Sequence, residues 1–297
     1  MLNLDHLRRL AEAHEESLGV VPASFELKGR RFATAEAPHL MGVINLSQDS
    51  WYRESVCLSV EAAVRRGRRL AVEGAHLVDV GAESSLSHAQ RVDEAGQKSL
   101  LLPVVKGLAE AGVLVSVETY HPSVTEACLQ AGAAVLNLTG TGRSEEMYRM
   151  VADHEAGVIL CFVQGENVRE VDRIQLESDH TETLKSYFGR EIDKAVKAGV
   201  SRIWIDPGLG FYYKNLQDSG ERVRYQMQTF LNSFRLRSLG WPVCHALPHA
   251  VEYFEDEVRT AEGFFAVLAL LGKTDLLRTH EVARVQAVAR TMRAFGG

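Results

Sequence analysis

From residue 39 onward, eight short apolar runs alternate with eight stretches of helical spacing, and that rhythm specifies an α/β fold, a (β/α)8 TIM barrel. Each apolar run ends in polar residues. The helical stretches close on glycine, as at Gly74, Gly112, Gly132, Gly199 and Gly240, where a helix turns back toward a strand. The chain has 297 residues, which suits a barrel of about 250 with an N-terminal addition. An open doubly wound sheet is the competing arrangement, but no Gly-x-Gly-x-x-Gly follows the first strand to support it.

The elements follow in order. Residues 4–17 place Leu4, Leu7, Leu10 and Ala11 at helical spacing. Residues 24–33 alternate apolar and polar up to Lys28-Gly29 and then resume, which predicts a hairpin. Residues 1–38 therefore read as an N-terminal helix and β-hairpin decorating a barrel over 39–297, one domain overall with no linker inside it. Strands are expected at 39–45, 76–81, 114–118, 134–137, 157–162, 202–206, 242–245 and 274–278. Helices are expected at 60–73, 93–111, 123–131, 145–155, 183–198, 222–239, 256–271 and 282–295. Strand-helix alternation implies parallel pairing with right-handed crossovers.

Composition narrows the partners. Lys plus Arg is 33 against 39 for Asp plus Glu, a formal charge of −6 with no basic block, so nucleic acid is excluded as the main partner. The longest apolar stretch, near residues 263–272, is too short for a membrane span, and the charged N-terminus does not read as a secretion signal. Cys57, Cys128, Cys161 and Cys244 are far apart and show no ligand spacing, as expected of buried thiols in a reducing cytoplasm.

In a barrel of this kind the active site lies at the carboxyl ends of the strands. Those ends supply Asn45 and Asp49, Asp79 and Glu83, Glu118, Asn137, Gln164, Asp206, His245 or His249, and Arg278 with His280. Carboxylates and amides with one Arg-x-His suit a ligand that has a donor-rich edge and an anionic group. The remaining histidines have no metal-ligand spacing.

These residues resemble the dihydropteroate synthase family. The matches are Met41-Gly-Val-Ile-Asn-Leu-Ser-Gln-Asp-Ser50, Asp79-Val-Gly-Ala-Glu-Ser-Ser85, Val115-Ser-Val-Glu-Thr-Tyr120, Leu136-Asn137 and Gln164-Gly165. Ile205-Asp-Pro-Gly-Leu-Gly-Phe211 and Arg278-Thr-His-Glu-Val282 complete a collinear set of seven that runs from about residue 24 to the C-terminus. The resemblance implies a transferase that joins a 6-hydroxymethyl-dihydropterin diphosphate to p-aminobenzoate or a related aryl amine in folate-type biosynthesis, with loss of pyrophosphate. It implies pterin binding by Glu118, Asn137, Asp206 and Gln164, with Glu118 standing where the family has Asp. It further implies that Arg278 and His280 hold the diphosphate, that Asn45 sits near it or its Mg2+, and that the protein is a homodimer built on the late helices.

The sequence departs from the family at two places. The family's strand-seven Ser-Arg-Lys segment corresponds to Cys244-His-Ala-Leu-Pro-His-Ala250, which puts His249 in the arginine slot and Ala250 in the lysine slot. His249 then becomes the candidate replacement base. In the second-strand loop, Leu86 stands where the family has arginine. The pterin-reading groups survive better than those for the second substrate, so altered synthase activity is expected. Two other readings remain open, a methyltetrahydrofolate-binding methyltransferase and a catalytically silent pterin-binding protein.

Overall fold

The structure, a computed structural model, describes residues 1–34, 37–50, 52–84, 89–169, 179–210, 216 and 218–295. Leu86 and Phe211 lie outside the described residues. The chain opens with α1 (Leu4–Ala13), whose first turn is capped by Asn3 Oδ1 accepting from the His6 backbone N–H at 3.1 Å. The helix expected over 4–17 breaks at His14, beyond which α2 (Glu15–Leu18) forms a separate turn. Strands β1 (Phe25–Leu27) and β2 (Arg30–Phe32) form the hairpin. Lys28 and Gly29 between them both take positive φ, 47° and 76°, the conformation a two-residue turn needs to match strand twist.

The barrel follows as β3 (His39–Asn45), α3 (Val60–Val72), β4 (Leu77–Gly81), α4 (Glu94–Glu110), β5 (Val115–Thr119) and α5 (Pro122–Gln130). It continues through β6 (Val135–Leu138), α6 (Ser144–Asp153), β7 (Gly157–Cys161), α7 (His180–Lys197), β8 (Ile203–Asp206) and α8 (Ser219–Leu236). The last elements are β9 (Cys244–Ala246), α9 (Val251–Phe254), α10 (Val258–Leu271), β10 (Leu276–Thr279) and α11 (Val282–Phe295). Among the described residues eight parallel strands run in the order β8-β7-β6-β5-β4-β3-β10-β9. Seven of the junctions are full ladders. The eighth, between β8 and β9, is a single bridge from Ile205 to Val243, with the Ile205 N–H donating to the Pro242 carbonyl at 3.0 Å. The helix expected over 256–271 starts at Val258. Ahead of it Ala250 at φ 44° initiates α9, and a 3-10 turn covers Glu255–Glu257.

Side chains on a strand alternate between faces, so neighbours inside the barrel stand two positions apart along each strand. The interior therefore has layers. Met41, Leu77, Val135, Ile159, Trp204 and Leu276 pack with Leu27 and Phe32 of the hairpin in one apolar cluster. The edge of Trp204 meets Phe25 at 4.6 Å and Phe32 at 5.2 Å. The hairpin thus stoppers the amino-terminal end of the barrel. Two residues further along these strands stand Asp79, Asn137, Cys161, Asp206 and Arg278, a polar layer at the carboxyl end. Among the described residues, no helix is long and apolar enough to cross a membrane.

Candidate active site

Asp79 is the hub of the polar layer. It is fully buried and accepts from Ser116 Oγ at 2.6 Å, Asn137 Nδ2 at 3.0 Å and Arg278 Nε at 2.7 Å. Arg278 reaches Glu118 Oε2 with its Nη2 at 2.7 Å, so one guanidinium bridges two acids. Asn137 is oriented from both sides, because its Oδ1 accepts from Cys161 Sγ at 3.3 Å. Asp206 Oδ1 accepts the Gly208 N–H at 2.8 Å within the Asp-Pro-Gly turn. Asn45, Glu83, Glu118, Asn137, Cys161, Asp206, His249, Arg278 and His280 share the wall of one cavity of about 510 Å3 at the mouth of the barrel.

Burial sets the electrostatics. It pushes the Asp206 carboxyl up to about 6, against the opposing pull of the Gly208 N–H and Arg278. Burial likewise takes Glu118 up to about 7, opposed by Arg278 and reinforced by Asp79 and Asp206. Burial alone would lower Arg278, but Asp79 and Glu118 outweigh it and keep the guanidinium charged. The mouth therefore has more carboxylates than cations, which suits a flat ligand with several N–H donors.

A second cluster lies on the wall. Fully buried Glu262 of α10 accepts from His249 Nε2 at 3.0 Å and His280 Nδ1 at 2.8 Å, both through Oε1. Its Oε2 accepts from the Thr279 hydroxyl and from the backbone N–H groups of His280 at 3.0 Å and Glu281 at 3.2 Å. Burial opposes the charge on Glu262, yet the two imidazole bonds prevail and hold the carboxyl well below the usual range. The Tyr52 ring stacks on His249 at 5.1 Å and on His280 at 4.4 Å, while its hydroxyl donates to Glu281.

Most of the sequence candidates come together. Arg278 and His280 both reach the cavity but have different partners, an acid pair and Glu262. Gln164 follows β7 but is not among the lining residues. Asp49 clamps a loop, accepting the Gln90 N–H at 2.9 Å, and Glu83 accepts from Tyr120 Oη at 2.6 Å. Ala250, in the slot where the resemblance sets a lysine, lines the cavity and presents only a methyl group. Glu262 and Tyr52 are absent from the sequence reading, and Asp79 appears there only as a strand end. Asp79 does carry a signal, a lone charge in the wholly buried strand Leu77–Gly81. So does Glu262, an acid on the apolar face formed by Ala261, Phe265 and Ala266.

His245, the alternative to His249, is a core residue. It packs on Phe230, and its Nε2 lies 2.6 Å from Ser233 Oγ. Burial pushes it down to about 3. Its folded value is below the unfolded 6.5, so the unfolded chain gains a proton first and stability is lost as pH falls below about 6.5. His245→Gln is expected to recover about 3 kcal/mol of the loss between pH 7 and pH 4. Urea midpoints at the two pH values check this, and an unchanged loss would count against it.

Comparison with known proteins agrees with this geometry. Residues 41–247 match the model of the family described as pterin binding enzyme. A dihydropteroate synthase from Streptococcus pyogenes is 27% identical over 265 residues, covering 85% of this chain and 94% of that protein. The Xanthomonas albilineans dihydropteroate synthase structure with 4-aminobenzoic acid superposes with a TM-score of 0.77 at 27% identity, covering 93% of this chain and 99% of that one. The same enzyme in complex with 7,8-dihydropteroate gives 0.73 at 25% identity, with the same coverage.

Proposed function

Since the chain belongs to the pterin binding enzyme family, we propose that it condenses 6-hydroxymethyl-dihydropterin diphosphate with p-aminobenzoate or a related aryl amine and releases pyrophosphate. The observation that carries this reading is the pairing of a buried Asp206 with an oriented Asn137 on one cavity wall. With its value near 6, Asp206 is ionised at neutral pH and can accept two N–H groups from a pterin edge, while Asn137 keeps an N–H for a ring acceptor. Glu118 extends the acidic wall.

Arg278 and His280 would face the diphosphate. In the reaction the methylene carbon–oxygen bond breaks with its electron pair leaving on diphosphate. The amine nitrogen forms the new bond and then loses a proton. Arg278 would stabilise the leaving anion. In the metal-free protein His249, on the cavity wall, would receive the amine's proton.

Asn45 fits the role of a Mg2+ neighbour. Its Nδ2 donates to Ser55 Oγ at 2.6 Å, so its amide oxygen remains for a hard cation. Bound Mg2+ would offset the diphosphate charge. The exposed Phe264 and Leu271 of α10 and Phe295 of α11 offer a second copy an apolar contact, which supports a homodimer. Four free, buried cysteines support a reducing compartment, the cytoplasm.

Calorimetry with 6-hydroxymethylpterin, followed by a synthase assay with its dihydro diphosphate and p-aminobenzoate, tests the proposal. Heat of binding and pyrophosphate release are expected. Silence at high micromolar pterin would end the reading, and heat without turnover would make the protein a silent pterin binder.

A further inference from the structure

We propose that His249, His280 and Glu262 form a site for one divalent transition-metal ion on the wall of the barrel mouth. The three residues come from the loop after β9, the residue after β10, and α10, so only the fold brings them together. His249 Nε2, His280 Nδ1 and Glu262 Oε1 all lie within 4.8 Å of one another. The carboxylate oxygen is 3.0 Å and 2.8 Å from the two nitrogens. With metal–ligand bonds of about 2.1 Å, adjacent positions on a six-coordinate ion are about 3 Å apart. The carboxylate oxygen therefore stands at ligating separation from each nitrogen, and the two nitrogens lie within 4.8 Å of each other.

The chemistry of the set agrees. Two imidazoles and a carboxylate form a facial triad suited to Fe2+, Co2+, Mn2+ or Zn2+. Glu262 is fixed by the Thr279 hydroxyl and two backbone N–H groups on its other oxygen, which aims Oε1 at the histidines. Among the described residues none of its hydrogen-bond partners is Arg or Lys, although the carboxylate is fully buried. A buried acid held ionised by hydrogen bonds in this way can also take a cation. Tyr52 stacks on both imidazoles and holds them side by side. On ligation each neutral imidazole moves its hydrogen to its other ring nitrogen, so no redox partner is needed.

His249 and His280 line the cavity, whereas Glu262 does not. The open coordination positions would therefore face the cavity, where they suit phosphate oxygens. The segment between Arg237 and Arg259 contains no Lys or Arg, and a metal held here would return positive charge to that wall. This role toward a diphosphate rests on the function proposed above; the metal site itself does not.

Tag-free protein stripped with EDTA and titrated with Co2+ is the test. One equivalent of Co2+ is expected, with a visible ligand-field absorption that Zn2+ abolishes. His249→Ala and Glu262→Gln should each weaken binding by 10- to 100-fold, while His245→Gln leaves it unchanged. If circular dichroism shows that Glu262→Gln is unfolded, His249→Ala decides, because that side chain lies on the cavity wall. No cobalt band at millimolar metal, or an undiminished band in His249→Ala, would overturn the site. Pterin calorimetry on the same metal-free sample reports separately on the proposed function.

Discussion

Replacing Asp206 by asparagine is expected to lower pterin affinity about 100-fold while making the unliganded barrel more stable. The affinity loss follows from donor–acceptor matching. A carboxylate accepts two N–H groups, whereas the amide places its own NH2 against one of them. Two charge-assisted bonds of about 1.5–3 kcal/mol are reduced to one neutral bond, and about 3 kcal/mol corresponds to about 100-fold. The stability gain follows from burial. The carboxyl stands near 6 in the folded chain against 3.8 unfolded, so ionising it opposes folding above about pH 6, and this penalty disappears below about pH 4. The amide of Asp206→Asn would keep a carbonyl oxygen to accept the Gly208 N–H, so the turn survives. Urea unfolding should place the variant above the wild type by up to about 3 kcal/mol at pH 7.5, with the curves converging near pH 4. Affinity within threefold of the wild type would refute the assignment of Asp206.

Arg278→Met should act in the opposite direction on stability. The guanidinium is the shared partner of Asp79 and Glu118, and removing it leaves two acids buried together. Breaking one partner out of such an arrangement costs about 3–5 kcal/mol. The loss should be largest near pH 8. Without the arginine, Glu118, already near 7, rises further and protonates, so by pH 5.5 the deficit should fall to about half. Arg278→Lys would recover little, since an ammonium lacks the planar fork that spans both carboxylates. A deficit that stayed flat between the two pH values would show that the pair is not what Arg278 balances.

Much of this was readable from residue order. The (β/α)8 rhythm emerged because every strand is a short apolar run, and strands buried on both faces read that way. The polar layer was legible because period two places Asp206 two residues beyond Trp204 and Arg278 two beyond Leu276. What escaped was the arrangement of partners. Glu262 is one acid in the middle of a helix, and only the packing of α10 under β10 shows that it anchors His249 and His280. The break at His14 was hidden because Leu4, Leu7, Leu10 and Ala11 are spaced as one helix. Asp79 reads locally as one more strand terminus, yet it joins β4, β5, β6 and β10 through side-chain bonds made across the barrel.

The lone bridge between β8 and β9 also gives the molecule a weak stave. Backbone amides along a full ladder open together, whereas this wall has one backbone bridge, at Ile205 and Val243, beside the Asp206–Cys244 side-chain hydrogen bond, and is expected to part first. Asp206 is the next residue after that pin, and Cys244 follows on the opposite lip. A ring clasped by Asp206 would act as a rivet, so occupancy of the mouth should tighten the whole cask from its loosest joint.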